Sequence, residues 1–444
     1  MKTIKRIICL ALLISAINQP ILFTVWTSPV FLKVLTSLFL SAFFIFYLFN
    51  PLVAKEATDD LRTLSRGQVV LQTAAILFLA EIVIYLIIFV FGIWFNPWLI
   101  GINAGLSLIM SYLMAVSGLI RAFAASKQLS LSFRLLLIFA WWFPLVNIVF
   151  AYLASRLLGE ELTFNREKHI LNEQRKAEQI CRTRYPLLLV HGIFFRDWEL
   201  FNYWGRIPAE LERNGAQIFY GGHASSLPVE ESALELKNRI LSVLLETGAE
   251  KINIIAHSKG GIDSRYAISC LNLADKVASL TTINTPHYGS DLAGTMLEMA
   301  PKKIVTAVGK QYSRIFRHLG DANVDFVGSV NELTAERCKE LNQLMPDSDQ
   351  VYYQSAGSQM KNWKSAPFPL NVGYSIIKPT GGDNDGLVST RSMKWGNFLG
   401  ICQPIGKKGI SHGDMIDLTR KNLPGFDVTE FYIKITADLK LKGY

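Results

Sequence analysis

Residues 251–261 read Lys-Ile-Asn-Ile-Ile-Ala-His-Ser-Lys-Gly-Gly. The first five form a short, largely apolar run of the kind that makes a strand buried on both faces of a parallel sheet. Ser258 follows, with Ala256 two places before it and Gly260 two places after. A serine on a tight strand-to-helix turn needs such small neighbours, because larger ones clash where the chain reverses. The helix expected from Gly260 onward points its N-terminus at the serine, and the partial positive charge there favours a developing anion. A serine before a glycine is commonly no more than a turn. Its setting between an apolar strand and a helix makes Ser258 the candidate nucleophile.

Upstream, residues 186–190 read Pro-Leu-Leu-Leu-Val, a second buried-strand run that leads into His191-Gly192-Ile193-Phe194. A helical stretch over 208–214, a strand-like 217–220 and a helix over 229–247 separate the two runs. Strand and helix alternating in this way predict a doubly wound, mostly parallel α/β sheet.

A nucleophilic serine needs a base, and the base needs an orienting carboxylate. On this kind of sheet their order along the chain is serine, acid, histidine. Of seven histidines, His287, His318 and His412 lie after Ser258. His287 follows the strand-like 279–283 too closely to come after an acid-bearing strand and reads as a structural loop residue. His318 sits in a basic helical stretch and reads as a surface residue. His412, in Ser411-His412-Gly413-Asp414, is the candidate base. The candidate acid is Asp385, in the run Gly-Gly-Asp-Asn-Asp-Gly-Leu-Val over 381–388. Asp383 is its rival, and turn formation by both is the plain alternative. Asp263, just inside the helix after Ser258, reads as structural. The expected oxyanion donors are the backbone N–H groups of Lys259 and Ile193. The lysine side chain is not required for that role.

These residues together resemble the secreted bacterial triacylglycerol lipases over 185–444, most strongly over 186–294. The resemblance rests on Leu189-Val190-His191-Gly192, Tyr203-Trp204-Gly205-Arg206-Ile207-Pro208 and Gly215-Ala216-Gln217. It continues through Ser258 to Ser264-Arg265-Tyr266 and Thr285-Pro286-His287-Tyr288-Gly289-Ser290. Asn384-Asp385-Gly386-Leu387-Val388 and His412 then occupy the acid and base places. The resemblance implies an α/β-hydrolase fold, ester cleavage through an acyl-enzyme, and a mobile lid. Residues 294–316 could form that lid, and a fixed cap helix is equally open. Family members also carry a structural calcium ion held by two aspartates. Asp414 matches the second, but 356–380 contains no acid for the first, so the calcium site is incomplete here. No cofactor and no other metal is expected.

The family has no counterpart to residues 1–157. Half of the 444 residues are hydrophobic, mean hydropathy is +0.26, and most of the excess lies in this first third. Apolar runs over 7–26, 30–54, 69–95, 98–123 and 133–157 reach or exceed the roughly 20 residues that span a bilayer. They predict an all-α membrane domain of about five transmembrane helices over 1–157. A helical juxtamembrane linker follows over 158–184, then the hydrolase domain over 185–444. Lys2, Lys5 and Arg6 precede an apolar run as in a signal peptide, but no small-residue cleavage site follows. Basic loops at 55–66 and 121–134 place the N-terminus inside, and a fifth full span places the hydrolase domain on the outer face of a bacterial cell membrane. A re-entrant turn at Pro144 would instead leave it in the cytoplasm.

The net charge is +9, with many basic residues flanking apolar runs, a pattern that suits anionic lipid headgroups. There is no dense basic block with interleaved aromatics, so nucleic acid is not an expected partner. Five cysteines form no CxxC pair, which argues against a metal knuckle or redox motif. The expected function is a membrane-anchored serine hydrolase acting on lipid esters. The competing readings are a phospholipase, a lipid acyltransferase using the same triad, or a catalytically silent membrane protein that only binds.

Overall fold

The computed structural model describes residues 2–139, 144–193, 203–224, 226–299, 326–403 and 406–444. The chain divides into two compact units, residues 1–171 and 172–444.

The first unit is helical. Its elements are α1 (Lys2–Ile17), α2 (Gln19–Val25), α3 (Val30–Phe49), α4 (Asp59–Val90), α5 (Pro97–Ala125), α6 (Leu131–Phe139) and the start of α7 (Pro144–Arg175). Local chemistry sets the ends of the longest pair. Thr58 caps α4 by accepting from the Leu61 amide, and Asp59 and Asp60 fill its first turn. Asn96 caps α5 by accepting from the Trp98 amide, and Pro97 stands where its missing N–H costs nothing. The two helices approach closely because Gly118 faces Leu71. A Cβ at Gly118 would lie 2.8 Å from Leu71 Cγ.

Among the described residues three helices, α3, α4 and α5, are long and apolar enough to cross a membrane. They expose large apolar side chains such as Phe39, Phe46, Phe89 and Ile109, a surface that water disfavours over so large an area. The predicted run 7–26 is not one straight span: α1 and α2 meet at 87°, and they make a fourth span only if the bent pair counts as one. The predicted run 133–157 falls on α6 and α7, with 140–143 outside the described residues. α7 is not among the helices apolar enough to cross. It continues to Arg175, so the residues read as the start of a linker are helical.

The second unit is built on a six-stranded sheet: β1 (Leu187–Val190), β2 (Ile218–Tyr220), β3 (Ile252–His257), β4 (Val277–Ile283), β5 (Tyr352–Ser358) and β6 (Asn397–Cys402). The order is β2-β1-β3-β4-β5-β6, and every pairing is parallel. Alternate residues of β1 serve opposite faces. Leu187 and Leu189 join Ile255, Trp204, Tyr432 and Leu211 of α8 (Ile207–Arg213) in one core cluster. Leu188 and Val190 join Ile254 with Leu236 and Ile240 of α9 (Val229–Thr247) in the other. Burial on both faces is why the run 186–190 is apolar without alternation. β5 and β6 carry no such run, and their sequences do not announce strands.

Candidate active site

The elbow forms where β3 ends. Ser258 adopts φ 57° and ψ −134°, and α10 (Lys259–Cys270) begins at the next residue. A non-glycine residue in that region stores about 1–3 kcal/mol of strain and persists there only where its surroundings enforce it. They do so here: the Ser258 amide donates to the Ile283 carbonyl at 3.0 Å, and Thr285 Oγ1 donates to the Ser258 carbonyl at 2.8 Å. The small residues have the predicted steric reason. A Cβ on Gly260 would lie 2.5 Å from the His191 carbonyl oxygen, and one on Gly192 would lie 2.6 Å from Ser258 Cβ. The His191-Gly192-Ile193 loop therefore packs directly on the serine.

Asp385 and His412 meet, with Nδ1 of the imidazole 2.6 Å from Oδ2 of the carboxylate. The carboxylate is fully buried and fixed on both oxygens. Oδ1 accepts from the amides of Leu387 at 2.9 Å and Val388 at 2.8 Å. Oδ2 also accepts from Asn284 Nδ2 at 2.7 Å. The His412 amide donates back to the Asp385 carbonyl at 2.9 Å. The rival, Asp383, lies at the surface in an ion pair with Lys378 at 2.6 Å. The His412 ring lies 4.5 Å from that of His257, the residue before Ser258. His257 is buried, and burial holds its pKa well below the usual histidine range.

Lys259 opens α10, and amides of a first helical turn have no intrahelical acceptor. On the facing loop the Gly192 amide donates to Tyr203 Oη at 3.1 Å, and Ile193 is the next residue along that loop. Tyr203 Oη also bonds His257 Nδ1 at 2.7 Å. Tyr203 and Asn284 are the positioning residues that reading the sequence missed. Tyr203 is 54 residues from His257 and Asn284 is 101 from Asp385, and the only local sign was that Tyr203 opens one motif shared with the lipases and Asn284 directly precedes another.

His287 is buried away from any exposed role, bonded to Thr282 Oγ1 at 2.9 Å and stacked on Trp395. His318 and residues 300–316 of the lid candidate lie outside the described residues. Asp263 is structural as expected, yet its partner is the Lys259 side chain, at 2.7 Å. Lys259 Nζ also donates to Ser232 Oγ at 3.0 Å, and both charged groups are fully buried. Removing one member of such a pair leaves the other charge uncompensated. Asp263→Asn is expected to lower unfolding free energy by about 3–5 kcal/mol, whereas Lys259→Met with Asp263→Leu stays near neutral. Urea unfolding in detergent measures both.

His223 stacks on His191 at 4.6 Å, and burial lowers its pKa from 6.5 to about 4. Its folded value lies below its unfolded one, so between those pH values the unfolded chain binds a proton that the folded chain refuses. Stability should fall as pH drops through that window and level off below it, by at most about 3 kcal/mol for this group. Unfolding midpoints at pH 7 and pH 4.5 should differ less in His223→Gln than in the wild type.

The calcium site implied by the family does not fit these residues. Asp414 Oδ2 is already taken by the Ser411 amide at 2.9 Å and hydroxyl at 2.7 Å, and 356–380 offers lysines rather than acids. No step is assigned to a metal.

A parallel sheet with a strained serine at the elbow after β3, and a carboxylate–imidazole pair on later loops, defines an α/β-hydrolase. Residues 185–361 match the family described as Lipase (class 2). The chain is 30% identical over 276 residues to a triacylglycerol lipase of Vibrio cholerae serotype O1, which spans 57% of this chain and 86% of that protein. It is 28% identical over 262 residues to triacylglycerol lipase 2 of Saccharomyces cerevisiae, spanning 54% and 74% respectively. Among solved structures, a mature Bacillus licheniformis lipase aligns with a TM-score of 0.41 at 20% identity, over 53% of this chain and 87% of that one. The chain belongs to the class 2 lipase family, and it is a hydrolase of the lipase/esterase type.

Proposed function

We propose that this protein is a membrane-anchored serine hydrolase that cleaves carboxylic esters of lipids, with triacylglycerol as the substrate class that its relatives' names suggest. The observation that carries the reading is the buried Asp385–His412 bond at 2.6 Å, with the imidazole 4.5 Å from the ring of His257, the residue before the strained Ser258. In this reading His412 Nε2 takes the Ser258 hydroxyl proton as Oγ attacks the ester carbonyl. Asp385 holds Nδ1–H so that Nε2 is the free base. The Ile193 and Lys259 amides stabilise the oxyanion. His412 returns the proton to the leaving alcohol, and water then hydrolyses the acyl-enzyme by the same steps in reverse.

The apolar α3, α4 and α5 support an integral, multi-pass location. With the basic loops 55–66 and 121–134 placed inside, the chain leaves α5 on the inner side, and the hydrolase domain reaches the outer face of a bacterial membrane only if 133–157 crosses as a fifth span, which α7 is not apolar enough to make by itself. A fluorophosphonate probe tests the serine chemistry. Detergent-solubilised, folded protein should carry the label on the peptide containing Ser258. A folded wild type that reacts neither with the probe nor with short soluble esters would sink this reading in favour of a silent binding scaffold.

A further inference from the structure

We propose that Arg206 is a positioning residue for the base: gripping Asp417, it fixes the turn that carries His412 and so sets where the imidazole stands relative to Ser258. The inference rests on the serine-hydrolase reading above and goes beyond it, because Arg206 belongs neither to the triad nor to the oxyanion donors.

Asp417 lies five residues after His412, and its side chain is 1% exposed. Three nitrogens of one residue hold its carboxylate. Arg206 Nε donates to Oδ2 at 2.7 Å, Nη2 donates to Oδ1 at 2.8 Å, and the Arg206 amide donates to Oδ2 at 2.8 Å. The remaining guanidinium nitrogen, Nη1, donates to Asn422 Oδ1 at 2.7 Å. A two-pronged fork of this kind fixes direction as well as distance. The backbone on both sides is shaped to it. Gly205 has φ 53°, and a Cβ there would lie 2.5 Å from the Asp417 carbonyl oxygen. Asp417 itself adopts φ 56° and ψ 32°, a left-handed conformation uncommon for a residue with a Cβ.

The stretch between the fork and the base is short and closed on itself. A 3₁₀ turn, Asp414–Ile416, joins them. The carbonyl of Gly413, next to His412, accepts from the Leu418 amide at 3.0 Å, and the Asp414 carbonyl accepts from the Asp417 amide at 3.1 Å. Asp414 Oδ2 closes the near end on the Ser411 amide and hydroxyl. The bond from Asp385 orients the ring at Nδ1, and the fork at Asp417 holds the backbone that brings the ring there. Earlier in the same segment, Tyr203 reaches Gly192 and His257. One stretch of chain therefore braces the oxyanion loop, the elbow and the base turn together.

The test measures hydrolysis of a short-chain p-nitrophenyl ester by the full chain in detergent, at a temperature where every variant is folded. Arg206→Met with Asp417→Asn removes both charges, so neither is left buried alone, and asparagine tolerates the left-handed conformation. Its kcat should fall by about 10²-fold, the cost of displacing a reacting group by about 1 Å, with KM within about twofold of wild type. Arg206→Lys keeps the charge without the fork; it should recover the melting temperature but only part of kcat. In a His412→Ala background the double substitution should cost nothing further, because effects that run through one group are not additive. Wild-type kcat in the folded double variant, a raised KM in place of a lowered kcat, or an equal loss in the His412→Ala background would overturn the proposal. Ester hydrolysis that Ser258→Ala abolishes keeps the serine-hydrolase reading standing in any of those cases, whereas a wild type that hydrolyses no ester overturns both.

Discussion

Ser258→Ala should lower kcat for a short-chain p-nitrophenyl ester by about 10⁶-fold, the loss seen when a serine nucleophile is removed from a complete triad. The fold should survive the change. Position 258 already carries a Cβ at φ 57°, so alanine adds no backbone strain that serine lacks. The elbow is also tied down by backbone groups that alanine keeps: the amide bonded to Ile283 and the carbonyl bonded by Thr285. A wild-type-like melting temperature with activity near background is the expected pair of results. Retention of more than a few per cent of wild-type kcat in a folded Ser258→Ala protein would remove the serine from the mechanism.

Asp385→Asn should cost about 10⁴-fold in kcat with little change in KM. The reason lies in the bonds made by the carboxylate. Its Oδ1 can be replaced by the amide oxygen, which still accepts from Leu387 and Val388. The amide nitrogen then takes the place of Oδ2 and faces two groups that now donate to it, Asn284 Nδ2 and His412 Nδ1. To make a bond, the imidazole must turn its lone pair to Nδ1 and carry its proton on Nε2, where it cannot serve as a base towards Ser258. Asp383→Asn provides the contrast, since it disturbs only the surface pair with Lys378 and should leave kcat within about twofold, as surface changes away from such features do. Equal losses from the two substitutions would reassign the acid.

Several features were readable in the chain because their causes are local. The buried run 251–255, the small residues around Ser258 and the apolar run 186–190 each reflect a steric or burial demand of the immediate neighbourhood, and the structure places β3, the elbow and β1 on them. The glycine after Asp385 marks a tight loop in the same way, and the Leu387 and Val388 amides that follow do bond its carboxylate. The apolar lengths of 30–54, 69–95 and 98–123 likewise each coincide with one helix, the first two running past the helix end, at Phe49 and at Val90.

Other features needed the folded chain. The break at Asn18 is invisible in a hydropathy run, because Asn18 is settled by Glu81 and Asn103, 63 and 85 residues away. β5 and β6 are polar or glycine-interrupted and become strands only because β4 presents an open edge to β5, and β5 to β6. The Lys259 side chain looked dispensable until α9 and α10 packed and shut it away with Asp263 and Ser232. The sequence by itself determined which residues could be strand, elbow, acid and base, since those properties depend on side-chain size, polarity and near neighbours. Only the tertiary structure decided which distant groups hold them in register, because a hydrogen bond across a hundred residues has no local signature and forms only once chain closure brings its two ends together.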